Sequence, residues 1–527
     1  MLSVLNVFIA CLWLFSAVVD YTEFTYLWQL KEYRWDRFRD FLSTRQGRMY
    51  WLRYQLLWRS GIAIIMFFWP LNDVPSVKYA LVLLFSADVL YTLYRLFRGW
   101  IRRPKPTMKA AIIIVGSLVL EGTLFLLAQD WAILFLLLIT RFLLLTFIVF
   151  LLNQPTRLLK QYFIRKAQKK IERYPNIRII GVTGSYAKSS VKKFLFHILS
   201  EKYRVLKTPK NINTEIGVAQ CILSNNLDNV DIFIVEMGAY RKGEIKYICD
   251  MVHPSIGILT AINEQHLSLF GSIQETQAAK YELLRSLPEN GLAVTNSDNV
   301  YCREFLDELK TTVQTFGYDK EWKPTCQITN IKDTDTSVEF SFTVENSSVQ
   351  ITTPRMGDYH AMNIAPCILV AKYLGMSDAE IKERCVTLPV TTLGTYQYGN
   401  CTIIDDSYNS NPEGFKSALA YISTFPSKRR RIVITRGMLE LGNKSDELHE
   451  RIGEEIAFTT DELVLISRDY EEPIRRGIGM KYRTTVIVKE NPSDLLDYLR
   501  EIKETDAVIL LENRVGKVIH DELTSKS

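Results

Sequence analysis

The stretch Gly181-Val-Thr-Gly184-Ser185-Tyr-Ala187-Lys188-Ser189-Ser190 follows the largely apolar run Ile177 to Ile180 and precedes an amphipathic pattern. A strand that ends in a tight turn and re-enters a helix aims backbone N–H groups and the positive end of the helix dipole at one point, which suits a phosphate. Lys188 stands where its ammonium would neutralise β- and γ-phosphates, and Ser189 where its hydroxyl would reach Mg²⁺. Gly184, Ser185 and Ser190 complete the candidate nucleotide cradle. Val191, Phe194, Leu195, Ile198 and Leu199 repeat at helical spacing, predicting a helix buried on one face. The loop departs from GxxxxGK[ST] at Ala187, because a Cβ at that turn costs conformational freedom that glycine keeps. Taken alone, these residues also fit a strand–turn–helix with a solvated lysine.

Outward from the loop, the 527 residues divide into two unlike parts. The N-terminal part, to about residue 155, is dense in apolar residues, and the remainder has the composition of an ordinary α/β protein. Apolar stretches at 3–19, 56–71, 78–97, 109–128 and 131–152 predict five membrane spans, the second being the shortest. No basic residue precedes the first, which argues against a signal peptide. Arg and Lys cluster at Lys31 to Arg53, at Arg98 to Lys109 and at Arg157 to Arg173, whereas the connections at Asn72 to Lys78 and at Gln129-Asp130 have little positive charge. The positive-inside rule puts the three clusters in the cytoplasm and the N-terminus outside, in a multi-pass protein of the cell membrane. A re-entrant second segment is the alternative, but it would set the N-terminus and the first basic loop in conflict.

The net charge of +6 resides largely in these flanking clusters, which would face anionic lipid, so the bilayer is an expected partner and nucleic acid is not. Asp88, Glu121 and Arg141 fall within the apolar stretches. Glu121 and Arg141 flank the turn near Gln129-Asp130 at comparable depth, so they can pair across a hairpin. Such a pair would hold the bundle together or grip a lipid headgroup. Eight cysteines without metal-ligand spacing indicate a reduced compartment and no structural zinc.

Beyond the loop, Val230 to Val235, Ile256 to Ile262 and Leu292 to Thr295 read as strands between helices, which predicts a parallel-sheet α/β domain. Functional groups gather at the carboxyl ends of such strands. Glu236, Asn263, His266, Asn296 and Asp298 fall there, with Glu236 and His266 as candidate ligands for Mg²⁺.

These residues also carry a resemblance. The loop, Asn211-Ile-Asn-Thr-Glu-Ile-Gly217, Glu236-Met-Gly-Ala-Tyr-Arg-Lys-Gly-Glu244, His266-Leu-Ser-Leu-Phe-Gly271 and Ala279-Lys280-Tyr-Glu282 resemble the central ATPase domain of the Mur ligases. Ile404-Asp-Asp-Ser-Tyr-Asn-Ser-Asn-Pro412, Gly437-Met-Leu-Glu-Leu-Gly442 and Leu448-His449 are similar to the C-terminal domain of its MurF branch, which adds D-alanyl-D-alanine to the peptidoglycan precursor peptide. The resemblance runs from near Asn176 to the end of the sequence. Hydropathy and charge give a helical membrane bundle at 1–156 and a basic juxtamembrane helix or linker at 157–175, and the resemblance implies a P-loop Mur ligase central domain at 176–392 and a smaller Rossmann-like α/β domain at 393–527.

The implied activity is an ATP-dependent amide ligase, in which a substrate carboxylate takes the γ-phosphate and an amine then displaces it. By the same resemblance Lys188 and Ser189 hold the phosphates and a first Mg²⁺, and Glu236 and His266 are metal ligands. Lys280 matches a lysine that many members carbamylate to bind a second Mg²⁺. Otherwise Lys280 is a salt-bridging helix residue. Asn296 and Asp298 match positions near the base and ribose, Asn363 matches an ATP-domain asparagine, and Asp406 matches an acidic residue that the C-terminal domain brings to the nucleotide.

The ATP core is retained better than the sites for the other two substrates. A membrane bundle stands where the branch has a uridine-diphosphate-binding domain. The Gly-x-His-Asn pattern reads Gly357-Asp-Tyr-His360, an expected arginine is Thr395, Arg436-Gly437 replaces Gly-Asp, and Glu512-Asn-Arg514 replaces Lys-Gly-Ser-Arg. The cell-envelope precursor to which the amine is joined is therefore open to being lipid-linked or polymeric, and the amine to being an amino acid or dipeptide other than D-alanyl-D-alanine. Two other readings compete: a nucleotide-binding scaffold or pseudoenzyme, favoured by Ala187 and Thr395, and ATP-driven transport, disfavoured by the small number of spans.

Overall fold

The computed structural model describes residues 4–43, 47–48, 59–61, 74–98, 101–128, 131–265, 267–334, 337–344, 347–354, 360–389, 394–407, 411–479, 483–513 and 515–524. The chain forms two compact units, 1–160 and 161–527.

The first unit is helical. Among the described residues, four helices are long and apolar enough to cross a bilayer, with apolar spans Val7–Leu30, Tyr79–Phe97, Met108–Leu127 and Leu136–Ile171. Of the expected span at 56–71 only residues 59–61 are described, and they are helical; the rest lies outside the described residues. The first helix, Val4–Leu30, continues well past the apolar stretch that predicted it. It thereby carries Asp20 and Glu23 into the interior, where both are buried. The last helix, Trp131–Ile171, runs unbroken through Pro155 and absorbs most of the basic segment that follows the apolar run.

The interior of this unit sets a network of buried charges among apolar clusters such as Trp28, Phe38 and Leu145. Arg141 donates from Nε to Glu121 Oε1 at 3.1 Å and from Nη1 to Asp20 Oδ2 at 2.8 Å. Arg59 reaches the same Asp20 oxygen at 2.8 Å and also pairs with Asp88. Tyr21 donates its hydroxyl to Glu121 Oε2 at 2.6 Å, and Arg95 pairs with Glu23. The expected Glu121–Arg141 pair is thus one link in a larger network. Leu83, Leu90, Val119, Leu126 and Leu127 point outward. Charges are costly in hydrocarbon unless they face one another inside a bundle, and this arrangement meets that condition.

The second unit contains two sheets. The larger is built from β1 (Arg178–Thr183), β2 (Val205–Lys207), β3 (Ile232–Glu236), β4 (Ile256–Leu259), β5 (Leu292–Asn296), β6 (Thr312–Gly317), β7 (Cys326–Asp333), β8 (Ser337–Val344) and β9 (Ser347–Pro354). Their order is β2-β3-β1-β4-β5-β6-β7-β8-β9. Strands β2 to β7 pair in parallel, and β7, β8 and β9 extend the edge as an antiparallel meander. Buried Val338, Phe340, Phe342 and Val344 alternate with partly exposed residues on β8, the period expected of a strand with one face on the core.

Chain order reverses around β1, with β3 on one side and β4 on the other. That switch point is where a doubly wound sheet opens a crevice at its carboxyl edge. The helix Lys188–Leu199 leaves from it, and Val191, Phe194, Leu195, Ile198 and Leu199 are all fully buried, as their spacing predicts.

The smaller sheet comprises β10 (Gly394–Tyr398), β11 (Cys401–Asp406), β12 (Arg430–Thr435), β13 (Glu462–Leu465), β14 (Thr485–Val488) and β15 (Ala507–Glu512). Its order is β10-β11-β15-β12-β13-β14, parallel throughout except for β10. Asp406, Glu512 and Thr435 end three neighbouring strands in register at its carboxyl edge.

Candidate active site

The loop after β1 is shaped by two positive backbone angles. Gly184 has φ +149°, and a Cβ there would lie 1.9 Å from Thr260 Oγ1, so only glycine fits. Ala187 has φ +63° and ψ −6°, the left-handed conformation that the usual glycine supplies without strain. Ser185 fastens the loop to the segment that follows β4: its N–H donates to Ala261 O at 2.7 Å, and its hydroxyl accepts from Asn263 N at 3.0 Å. Lys188 curls back over the loop and donates to Gly184 O at 2.6 Å and Ser185 O at 3.0 Å. Burial lowers its pKa, against the opposing pull of Glu236.

Glu236 ends β3 in register with Val182 of β1 and is 1% exposed. Its Oε2 accepts from Ser189 Oγ at 2.9 Å and its Oε1 from Asn213 Nδ2 at 3.1 Å. Its N–H is held by Thr208 Oγ1 at 3.1 Å. The hydroxyl and the carboxylate proposed for one cation are thus already adjacent, and both are hard oxygen donors of the kind Mg²⁺ takes. Among the described residues no group of three or more His, Cys, Asp and Glu converges on one point. An ion here would therefore complete its shell with phosphate oxygens and water, as Mg²⁺ bound with nucleotides does. His266 lies outside the described residues.

Lys280, on the helix Ile273–Arg285, is 3% exposed. Burial, then the like charge of Lys188, drives its pKa well below the ordinary lysine value. Asn296 closes β5, two strands from the loop, and its Oδ1 accepts from Asp298 N at 2.9 Å. Asp298 in turn binds the backbone N–H groups of Tyr318 at 2.7 Å and Asp319 at 3.2 Å. Asn363 sits on the helix His360–Tyr373 and contacts His360 Nδ1 at 3.2 Å. Ser190 lies in the first turn of the loop helix, half-buried. Asp406 is buried at the edge of the second sheet.

The two sheets meet close to the loop. Asn411 caps the helix Pro412–Ser423 by accepting from Gly414 N at 2.9 Å, and Glu413 in its first turn bonds Asn263 beyond β4. A second contact joins Ser268 N to Glu440 O at 3.0 Å. The carboxyl edge carrying Asp406 therefore belongs to the domain that reaches the loop. Burial and the Glu413 carboxylate push the phenol of Tyr186 up. In the second domain, His449 accepts from Met438 N at 2.9 Å through Nε2 and stacks on Tyr470 at 4.0 Å, so its neutral ring fixes the turn after Gly437. Thr395, where an arginine is expected, is exposed on the edge strand β10.

Sequence reasoning passed over Lys192, Asn213 and Glu413. Asn213 lies inside a quoted run without a role assigned to it. Lys192 carries the signal of a cation on the buried face of the loop helix, one turn after Lys188.

A phosphate-type loop at the switch point of one sheet, approached by the helix that follows β11 of a second, mostly parallel sheet, defines a two-domain α/β protein of the P-loop class. Residues 182–371 match the Mur ligase middle domain and residues 392–511 match the Mur ligase, glutamate ligase domain; the chain belongs to the Mur ligase family. It is 31% identical over 299 residues to the UDP-N-acetylmuramoyl-tripeptide--D-alanyl-D-alanine ligase of Synechocystis sp., covering 56% of this chain and 62% of that protein. It is 27% identical over 346 residues to the ligase of the same name from Rickettsia prowazekii, covering 64% of this chain and 76% of that one. The crystal structure of MurF ligase from Thermotoga maritima in complex with ADP superposes with a TM-score of 0.60 at 24% identity, over 70% of this chain and 85% of that one.

Proposed function

We propose that the protein is a membrane-anchored, MurF-like ATP-dependent amide ligase acting on a peptidoglycan-type precursor at the cytoplasmic face. The observation that carries this reading is the convergence of Lys188, Ser189 and Glu236 at the carboxyl ends of β1 and β3, with the buried Lys280 amine near Lys188. A substrate carboxylate and a triphosphate repel each other, so the site must place fixed positive charge where negative charge develops. The loop N–H groups and Lys188 do this for the phosphates. The carboxylate oxygen attacks the γ-phosphorus, the bond to the β-phosphate oxygen breaks, and the acyl phosphate forms. The neutral amine nitrogen then bonds to the acyl carbon and gives up a proton, the acyl carbon–oxygen bond to phosphate breaks, and phosphate leaves with that proton.

Ser189 and Glu236, with His266 by family resemblance, would hold Mg²⁺, which when bound lends Lewis-acid stabilisation to charge on the phosphates. Burial beside Lys188 favours the neutral amine of Lys280, the form that adds CO₂ with loss of a proton. The resulting carbamate turns a cation into an anion next to Lys188, and would hold a second ion. Asn296 and Asp298 line the expected base and ribose side, Asn363 the ATP domain, and Asp406 the face of the second domain.

The departures at Thr395, Arg436 and Glu512, together with the helical first unit, favour a carboxylate substrate presented at the membrane and an amine still to be named. The basic clusters at Lys31 to Arg53, Arg98 to Lys109 and Arg157 to Arg173 support a cytoplasmic side for the catalytic domains and an outer N-terminus. Phosphate release by the full-length protein in membranes, with envelope precursors and candidate amines added, tests the reading. Release should require both substrates and fall by at least about a hundredfold in Lys188→Ala. Turnover unchanged by Lys188→Ala would exclude this loop as the catalytic one, and ATP binding without turnover under any substrate pair would favour the scaffold reading.

A further inference from the structure

The loop helix buries one charge that phosphate binding does not account for. Lys192 is 1% exposed, and its Nζ lies 2.7 Å from Glu236 Oε2. It also donates to the backbone carbonyl of Lys210. Glu236 therefore receives Lys192 and Ser189 on one oxygen and Asn213 on the other. Its negative charge is balanced before any ion arrives, and the side chain is already aimed at the loop.

We propose that Lys192 is a positioning residue that serves as a resident counter-ion for Glu236, orienting the carboxylate while denying it to a bare divalent cation, so that metal enters only together with nucleotide phosphates. The proposal rests on the reading of Glu236 as a metal ligand. A divalent ion on that carboxylate would sit within a few ångströms of the Lys192 ammonium, where the low-dielectric interior screens repulsion weakly. The phosphates of a nucleotide supply the negative charge that offsets this repulsion. Lys188 cannot take this role, because it turns toward the Gly184 and Ser185 carbonyls. A purely structural Lys192 would support the fold without setting any order of metal entry.

Mn²⁺ uptake by the full-length protein, read by electron paramagnetic resonance with and without a non-hydrolysable ATP analogue, separates these roles. Wild type should take up Mn²⁺ tightly only with the analogue present. Lys192→Met should raise nucleotide-free Mn²⁺ affinity at least tenfold, and adding Glu236→Gln should abolish the gain. Lys192→Gln keeps a hydrogen-bond donor without the charge and carries the same expectation should the methionine variant not fold. Lys192→Arg, which keeps the charge, should behave as wild type. Nucleotide-free affinity unchanged in both uncharged variants, with analogue-dependent uptake intact in wild type, would overturn the role of Lys192 alone. A wild type that takes up neither Mn²⁺ nor analogue would overturn the nucleotide site itself, and this proposal with it.

Discussion

Replacing Ala187 with glycine should stabilise the loop helix. At φ +63° the Cβ of Ala187 crowds the following carbonyl, a conformation that costs about 1–2 kcal/mol for a residue with a side chain. Glycine removes that cost, but its freer unfolded chain returns about 0.5–1 kcal/mol of it. The net gain is about 0.5–1 kcal/mol, or two- to fivefold in the opening equilibrium of the loop and the helix behind it. Hydrogen–deuterium exchange of the full-length protein, read on peptides covering residues 182–199, measures that equilibrium directly. Exchange should slow by this factor in Ala187→Gly and quicken in Ala187→Val, whose branched side chain fits a positive φ poorly. Faster exchange in the glycine variant would refute the reasoning, because the alanine methyl would then be packing against the site rather than straining the turn.

Lys280→Ala should lower ligase turnover by about a hundredfold or more, with partial rescue by a small carboxylic acid that fills the vacated space and weaker mimicry by Lys280→Glu; full activity of Lys280→Ala at low bicarbonate would refute the carbamate. Burial holds the pKa of His449 at about 4, so below the ordinary histidine value the unfolded chain binds a proton that the folded ring does not. Its contribution is intact above about pH 6.5 and declines by about 3 kcal/mol as pH falls to 4; urea titrations across that range should show the slope, and His449→Gln should flatten it. A cysteine near Lys105 or Lys169 should be shielded from an impermeant reagent in intact cells while one near Asp130 reacts, and labelling at Lys169 from outside would invert the proposed topology.

How much of this architecture was legible in advance depended on whether the signal was local. The turn at Gly184, the buried face of Val191 to Leu199 and the strand-end position of Glu236 follow from short-range spacing, and the structure keeps them. Asp20 and Glu23 escaped because hydropathy ends a span at its first carboxylate, while a helix can carry that carboxylate inward when an arginine from another helix meets it. Lys192 escaped for a related reason: a lysine between apolar residues is ordinarily solvated, and nothing local announces a carboxylate more than forty positions away. The antiparallel meander β7–β9 lies beyond what a run of parallel strands predicts, since pairing at a sheet edge depends on partners distant in sequence.

The two bent positions of the phosphate loop differ in what evolution may do with them. At Gly184 any side chain would strike Thr260, so drift there is barred whatever the surroundings. At Ala187 the penalty is only torsional, small enough for the rest of the fold to carry, and the spelling has room to wander. A search for letters weighs the two alike, whereas the backbone does not. Loops of this construction, missed by their consensus pattern at the forgiving position, should be recoverable by asking which residue is sterically forced to be glycine and whether a lysine follows four places later.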